Sequence, residues 1–88
     1  MSVKQDFDDM MKKLKVERDE INLKLHLASM EAREEFEGAE KQWEQLKAKA
    51  SEIADDTREV SEEFVAKAKI VGEELKEAYR RINRRLSE

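Results

Sequence analysis

The sequence predicts an all-α protein, an antiparallel helical hairpin or coiled coil that dimerises into a four-helix bundle. Three observations carry that prediction. The composition is rich in Ala, Glu, Lys, Leu and Arg and contains no proline, so strong helix formers dominate and the commonest helix breaker is missing. Apolar or small residues recur in steps of three and four from Phe7 to Leu86, about 3.6 residues per step. Finally, one stretch of the stripe is apolar on two opposite faces, the pattern of a helix held between partners.

The first element is a helix from about Val3 to Ala54. Its stripe runs through Phe7, Met11, Leu14, Ile21, Leu25, Ala28, Ala32, Phe36, Ala39, Trp43, Leu46, Ala50 and Ile53, with Arg18 in a skipped place. A turn follows at 55–57, where Asp56 can cap a new helix and Glu59, three residues on, completes a capping box. A hinge at Gly38 and one uninterrupted helix are the alternatives; Gly38 stands between good helix formers, where a lone glycine costs about 1 kcal/mol. The second helix runs from about Thr57 to Ser87, through Val60, Phe64, Ala68, Val71, Leu75, Ala78, Ile82 and Leu86. All 88 residues form a single domain, too short a chain for two.

Folding back near residue 56 pairs Phe36, Trp43, Leu46 and Ile53 with Val60, Phe64, Val71, Leu75 and Ile82 as a hairpin core. Gly72 then lies beside Trp43, leaving room for the indole. The hairpin is unequal, and the segment up to about Lys24 overhangs without an intrachain partner. Water would then meet Phe7, Met11, Leu14 and Ile21, at about 25 cal/mol per Å² of apolar surface, so a second chain is expected to cover them. On a helical wheel Val16, Leu23, Leu27 and Met30 fall between about 160° and 220° from Leu14, forming the second face. The expected oligomer interface is therefore Phe7, Met11, Leu14, Val16, Ile21, Leu23, Leu27 and Met30, joining two copies around a two-fold axis. A different helical protein is a further candidate partner.

Chemistry finds little footing. There is no cysteine, hence no disulfide or thiolate metal site, and His26 is the single histidine. Leu23 stands where a Glu-x-x-His metal pair needs its carboxylate. The run Glu31, Glu34, Glu35, Glu37, Glu40 and Glu44 is interleaved with Arg33, Lys41 and Lys47 and reads as a solvated helix face. Ser29, Ser51, Thr57 and Ser61 have no acid-base partner beyond one distant histidine. Hence no catalytic residue, cofactor or metal is expected, and the function is structural, scaffolding or protein-binding.

The sharpest charge feature is Arg80, Arg81, Arg84 and Arg85. From Lys76 onward five cations meet two carboxylates, net +3, in a chain whose total is −4. Cations there complement a helix C-terminus and could pair with Asp19 or Glu20. They could also grip an anion, so the alternative function is peripheral binding of anionic membrane or nucleic acid through this end. Neither partner is strongly signalled, because Tyr79 stands alone among the arginines and the alanine-rich seam suits helix pairing. The opening residues lack an apolar run, and the longest such run anywhere is Phe64-Val65-Ala66, so a cytoplasmic protein is expected.

Three segments carry a resemblance: Met30-Glu31-Ala32-Arg33-Glu34-Glu35-Phe36-Glu37, Trp43-Glu44-Gln45-Leu46-Lys47 and Gly72-Glu73-Glu74-Leu75-Lys76-Glu77-Ala78-Tyr79. Through them the chain resembles small bacterial coiled-coil proteins, stress-response-like or uncharacterised. The resemblance implies a helical hairpin with a tryptophan late in its first helix and a stress-related role, and it brings no catalytic residues.

Overall fold

The structure, a computed structural model, describes residues 3–55 and 59–87. It is all-α. Helix α1 spans Val3–Lys24, α2 spans Met30–Ala54 and α3 spans Glu62–Ser87, with one 3-10 turn at Leu25–Leu27 between the first two.

The first helix expected over 3–54 is thus two helices, and the break is built from local chemistry. The Leu25 carbonyl accepts from Ala28 N at 3.0 Å, closing the 3-10 turn. Ala28 then takes an extended conformation, φ −78° and ψ 146°, which turns the chain away from the α1 axis. Ser29 restarts it, its Oγ accepting from Ala32 N at 3.2 Å, as an N-cap satisfying one of the orphan amides of the new helix. The stripe conceals this break because Leu25, Ala28 and Ala32 keep their three-four spacing across it. Helix α3 starts in the same way, with Ser61 Oγ accepting from Phe64 N at 3.1 Å. It therefore begins at Glu62 and not at 57. The expected turn and cap residues Asp56 and Thr57 lie outside the described residues.

Three helices of 22, 25 and 26 residues, at about 1.5 Å per residue, match a molecule measuring 43 × 22 × 18 Å. They run up, down and up. Arg18 of α1 meets Glu40 of α2, while Phe7 and Met11 share a groove with Ala50 and Ile53, so α1 and α2 are antiparallel. Arg85 reaches Glu31 and Glu35, and the Lys49 ammonium lies 5.7 Å from the Phe64 ring centre, so α2 and α3 form an antiparallel hairpin. Met10 lies against Gly72, and α1 runs parallel to α3.

This arrangement corrects the overhang. Phe7, Leu14 and Ile21, one heptad apart, are 2%, 1% and 0% exposed, covered by the chain's own α2 and α3. Met11 packs partly buried against the same core. No second chain is needed to remove them from water. Of the expected hairpin core, Phe36, Trp43, Leu46, Ile53, Leu75 and Ile82 are buried, while Val60, Phe64 and Val71 are half-buried at its edge. Ala39, Val65, Ala68 and Tyr79 join them inside. Helix α3 packs on two neighbours, so its apolar arc is wide: Val65, Gly72 and Tyr79 are added at heptad spacing beside Phe64, Val71 and Ala78. The neighbour of Gly72 is also corrected. A Cβ there would stand 2.7 Å from Met10 Sδ and closer still to Met10 Cε, so the missing side chain makes room for Met10 and not for Trp43.

Arg18 explains the skipped place in the stripe. Its Nε and Nη2 donate to Glu40 Oε1 and Oε2 at 2.6 and 2.8 Å, a bidentate pair, and its guanidinium lies 5.6 Å from the centre of the Trp43 ring. That hydrogen-bonded carboxylate pushes the Arg18 pKa above its ordinary value. With side chains 25% and 28% exposed, the pair stands in partial contact with water and acts mainly to hold α1 in register on α2.

Candidate docking surface

With the stripe closed inside the bundle, the remaining large apolar residues stand out. Leu23, Leu27 and Met30 are 77%, 76% and 77% exposed. They lie within eight residues around the turn from α1 to α2, Leu23 in the last turn of α1, Leu27 in the 3-10 turn and Met30 at the first position of α2, which places them at one end of the bundle. The wheel that set them opposite Leu14 does not apply beyond Lys24, where α1 ends. Ile70, 57% exposed on the flank of α3, is an ordinary surface residue, and Val16, equally exposed, lies on α1 seven residues before Leu23.

The up-down-up topology brings the C-terminus of α3 to the same end, beside the N-terminus of α2. There Arg85 is engaged, with Nη1 3.0 Å from Glu31 Oε2 and Nε 2.7 Å from Glu35 Oε1. Arg80 pairs along its own helix with Glu77 at 3.0 Å. Arg81 and Arg84 are exposed and make no ion pair with a described residue. The pairing with Asp19 or Glu20 is therefore replaced by one with Glu31 and Glu35, which takes part of the acidic run out of plain solvation. Lys24 ends α1, and Arg33 Nη2 donates to the His26 carbonyl at 3.5 Å, so two more cations flank the apolar turn.

Charge is consequently sorted along the molecule. Residues 22–35 and 80–87 hold six cations against Glu31, Glu34 and Glu35, net +3, leaving −7 for the rest of a chain whose total is −4. At the opposite end, residues 3–9, 50–55 and 59–63 hold eight carboxylates against Lys4, net −7. The long dimension of 43 Å exceeds the Debye length of about 8 Å in physiological salt, so a partner at one end feels that end alone. The C-termini of α1 and α3 point toward the basic end, where cations complement the helix dipoles.

His26 is exposed in the 3-10 turn. Among the described residues no three His, Asp or Glu side chains converge to hold a metal ion. Among the described residues two buried polar atoms, Tyr79 Oη in the core and Glu17 Oε2 in the groove between α1 and α3, find no hydrogen-bond partner. Burial, and after it the Glu40 carboxylate, push the Tyr79 hydroxyl well above its ordinary range, so it stays neutral. No described helix is long and apolar enough to cross a membrane.

The class defined by these features is a short three-helix bundle with a closed core, one basic end bearing exposed leucines and one acidic end. No protein family, curated protein or solved structure matches the chain.

Proposed function

We propose that this protein is a non-catalytic binding module that docks through the end of its bundle at the α1–α2 turn. The observation that carries the reading is the contrast in burial: every large apolar residue of the α2 stripe is inside, whereas Leu23, Leu27 and Met30 stand about three-quarters exposed together. A chain that removes Ile21 completely from water two residues before presenting Leu23 to it is not short of core. Exposed apolar clusters of this kind serve association.

The reading is tested with Leu23→Ser, Leu27→Ser and Met30→Ser combined. Helicity and the urea midpoint should hold, because these side chains bury little, while binding of an apolar dye to the native protein should fall. A loss of more than about 1 kcal/mol of stability would make the three residues structural and end the docking reading.

Self-association is the second reading. The Phe7–Leu14–Ile21 stripe is covered within the chain, but Val16 stands exposed seven residues before Leu23 on the same face of α1 and extends the apolar turn along that helix. Two copies meeting there form a dimer whose population rises with concentration, measured by sedimentation equilibrium. A single monomeric species at all concentrations removes that reading and leaves docking on another partner.

A further inference from the structure

We infer that the basic end of the bundle docks on an anionic lipid surface, an inference that rests on the docking end proposed above and supplies its partner. Three observations converge on lipid. The first is composition: the end offers apolar side chains and cations side by side, and an anionic bilayer accepts both, its acyl boundary taking Leu23, Leu27 and Met30 while its headgroups meet the cations. The second is availability. Arg81 and Arg84 are exposed without ion pairs to described residues, and Lys24 and Arg33 flank the apolar turn, so these charges are not spent inside the fold. The third is area. Three such side chains expose on the order of 300 Å² of apolar surface, below the roughly 450 Å² that is the apolar share of the ~800 Å² each partner of a standard protein interface contributes. A fluid surface needs no shape complementarity and tolerates so small a contact.

Charge sorting orients the molecule on such a surface. The net +3 end faces the lipid, and lying flat would bring the net −7 end within the Debye length of the anionic surface and so cost repulsion, which favours the bundle standing on its basic end. Nucleic acid fits less well. Phosphates leave the leucines uncovered, and no aromatic ring is exposed for bases to stack on, since Tyr79, Trp43 and Phe36 are all buried and Phe64 lies near the opposite end. The acidic end of a second copy likewise answers the cations and ignores the leucines.

The test is flotation of the full chain with vesicles of phosphatidylcholine alone and of phosphatidylcholine with about one-third phosphatidylglycerol, in low salt. We expect binding to the anionic vesicles only, weakened about tenfold or more by Arg81→Gln with Arg84→Gln, lost also with Leu23→Ser and Leu27→Ser, and reduced by added salt. These variants avoid the paired Arg80 and Arg85, and circular dichroism checks that each remains folded. Absence of binding to either vesicle overturns the inference, as do equal binding to both and anionic binding indifferent to the substitutions. Tighter binding to a DNA duplex than to the vesicles overturns it in favour of a phosphate backbone. If vesicle binding is absent but Leu23→Ser with Leu27→Ser still lowers apolar dye binding, the lipid partner falls and the docking end stands. If neither changes, both fall.

Discussion

Replacing Tyr79 with phenylalanine should stabilise the protein. The side chain is 0% exposed, so both rings bury the same surface, and the substitution removes one oxygen that has no hydrogen-bond partner among the described residues. Leaving a buried hydroxyl unsatisfied costs about 1–3 kcal/mol. The void left by the oxygen returns about 0.3 kcal/mol of that, at roughly 24 cal/mol per Å³. A net gain of roughly 1 kcal/mol remains, which in a domain of this size raises Tm by about 4–8 °C. Urea denaturation followed by circular dichroism measures it, with an unchanged slope showing that the exposed surface is the same. A loss of about 1 kcal/mol or more would refute the reasoning, because the hydroxyl would then be making a bond worth more than its desolvation. The same residue gives a pH signature. Burial raises its folded pKa above the ordinary 10.0, with Glu40 adding to the shift and Arg18 opposing it. The stability held by the neutral ring is therefore fully present below pH 10 and declines as pH rises from there toward the folded value, by up to about 1.4 kcal/mol per pH unit. The phenylalanine variant should lack that decline, and the tyrosinate absorbance of this single tyrosine should appear only as the wild type unfolds.

The two glycines should respond differently to a common substitution. Gly38→Ala should stabilise by about 1 kcal/mol, since a Cβ there meets nothing within 4 Å, whereas at Gly72 Met10 must leave its seat and most or all of that gain should disappear; thermal melts of both variants decide. Trp43→Ala should cost about 3–5 kcal/mol in urea, as a 6%-exposed anchor is lost and Arg18 is left without its ring; a change under about 0.5 kcal/mol would mean the indole is not in the core. Ser29→Ala should cost about 1 kcal/mol by removing the cap of α2, and an unchanged midpoint would show that the chain does not restart its helix there.

Helical character follows from composition and spacing, and Phe36, Trp43, Leu46 and Leu75 sit at stripe positions that burial fills. The break at Ser29 was hidden for a physical reason: periodicity reports which residues share a face, and a chain that reverses without changing phase leaves it intact. Ser29 is a good N-cap, yet the residue three after it is Ala32, so no capping box marks the spot, while Asp56 and Glu59 offer a fuller signature elsewhere. Read as continuous helix, Leu27 and Met30 become a second interior face; read past the turn, they become the end of the molecule. Arg18 carried a signal that spacing alone cannot use, a cation in an apolar stripe, which requires a carboxylate such as Glu40 from another helix. Tyr79 was open to reading from the heptad Val65-Gly72-Tyr79, provided α3 is assigned two neighbours instead of one. The sorting of charge to the two ends depends on topology, since Lys24, Arg33 and Arg84 come together only when three helices alternate in direction.

In the closed bundle α1 folds back onto α2 and α3 of its own chain, and small-angle X-ray scattering from dilute protein tests that directly. Closure predicts a single-chain mass, a radius of gyration near the 14.1 Å of the Cα trace and a longest dimension near 43 Å. An unbroken helix over 52 residues would extend about 78 Å at 1.5 Å per residue. A particle approaching that length would contradict the closed bundle, and with it the reason that Leu23, Leu27 and Met30 are the apolar surface left for docking.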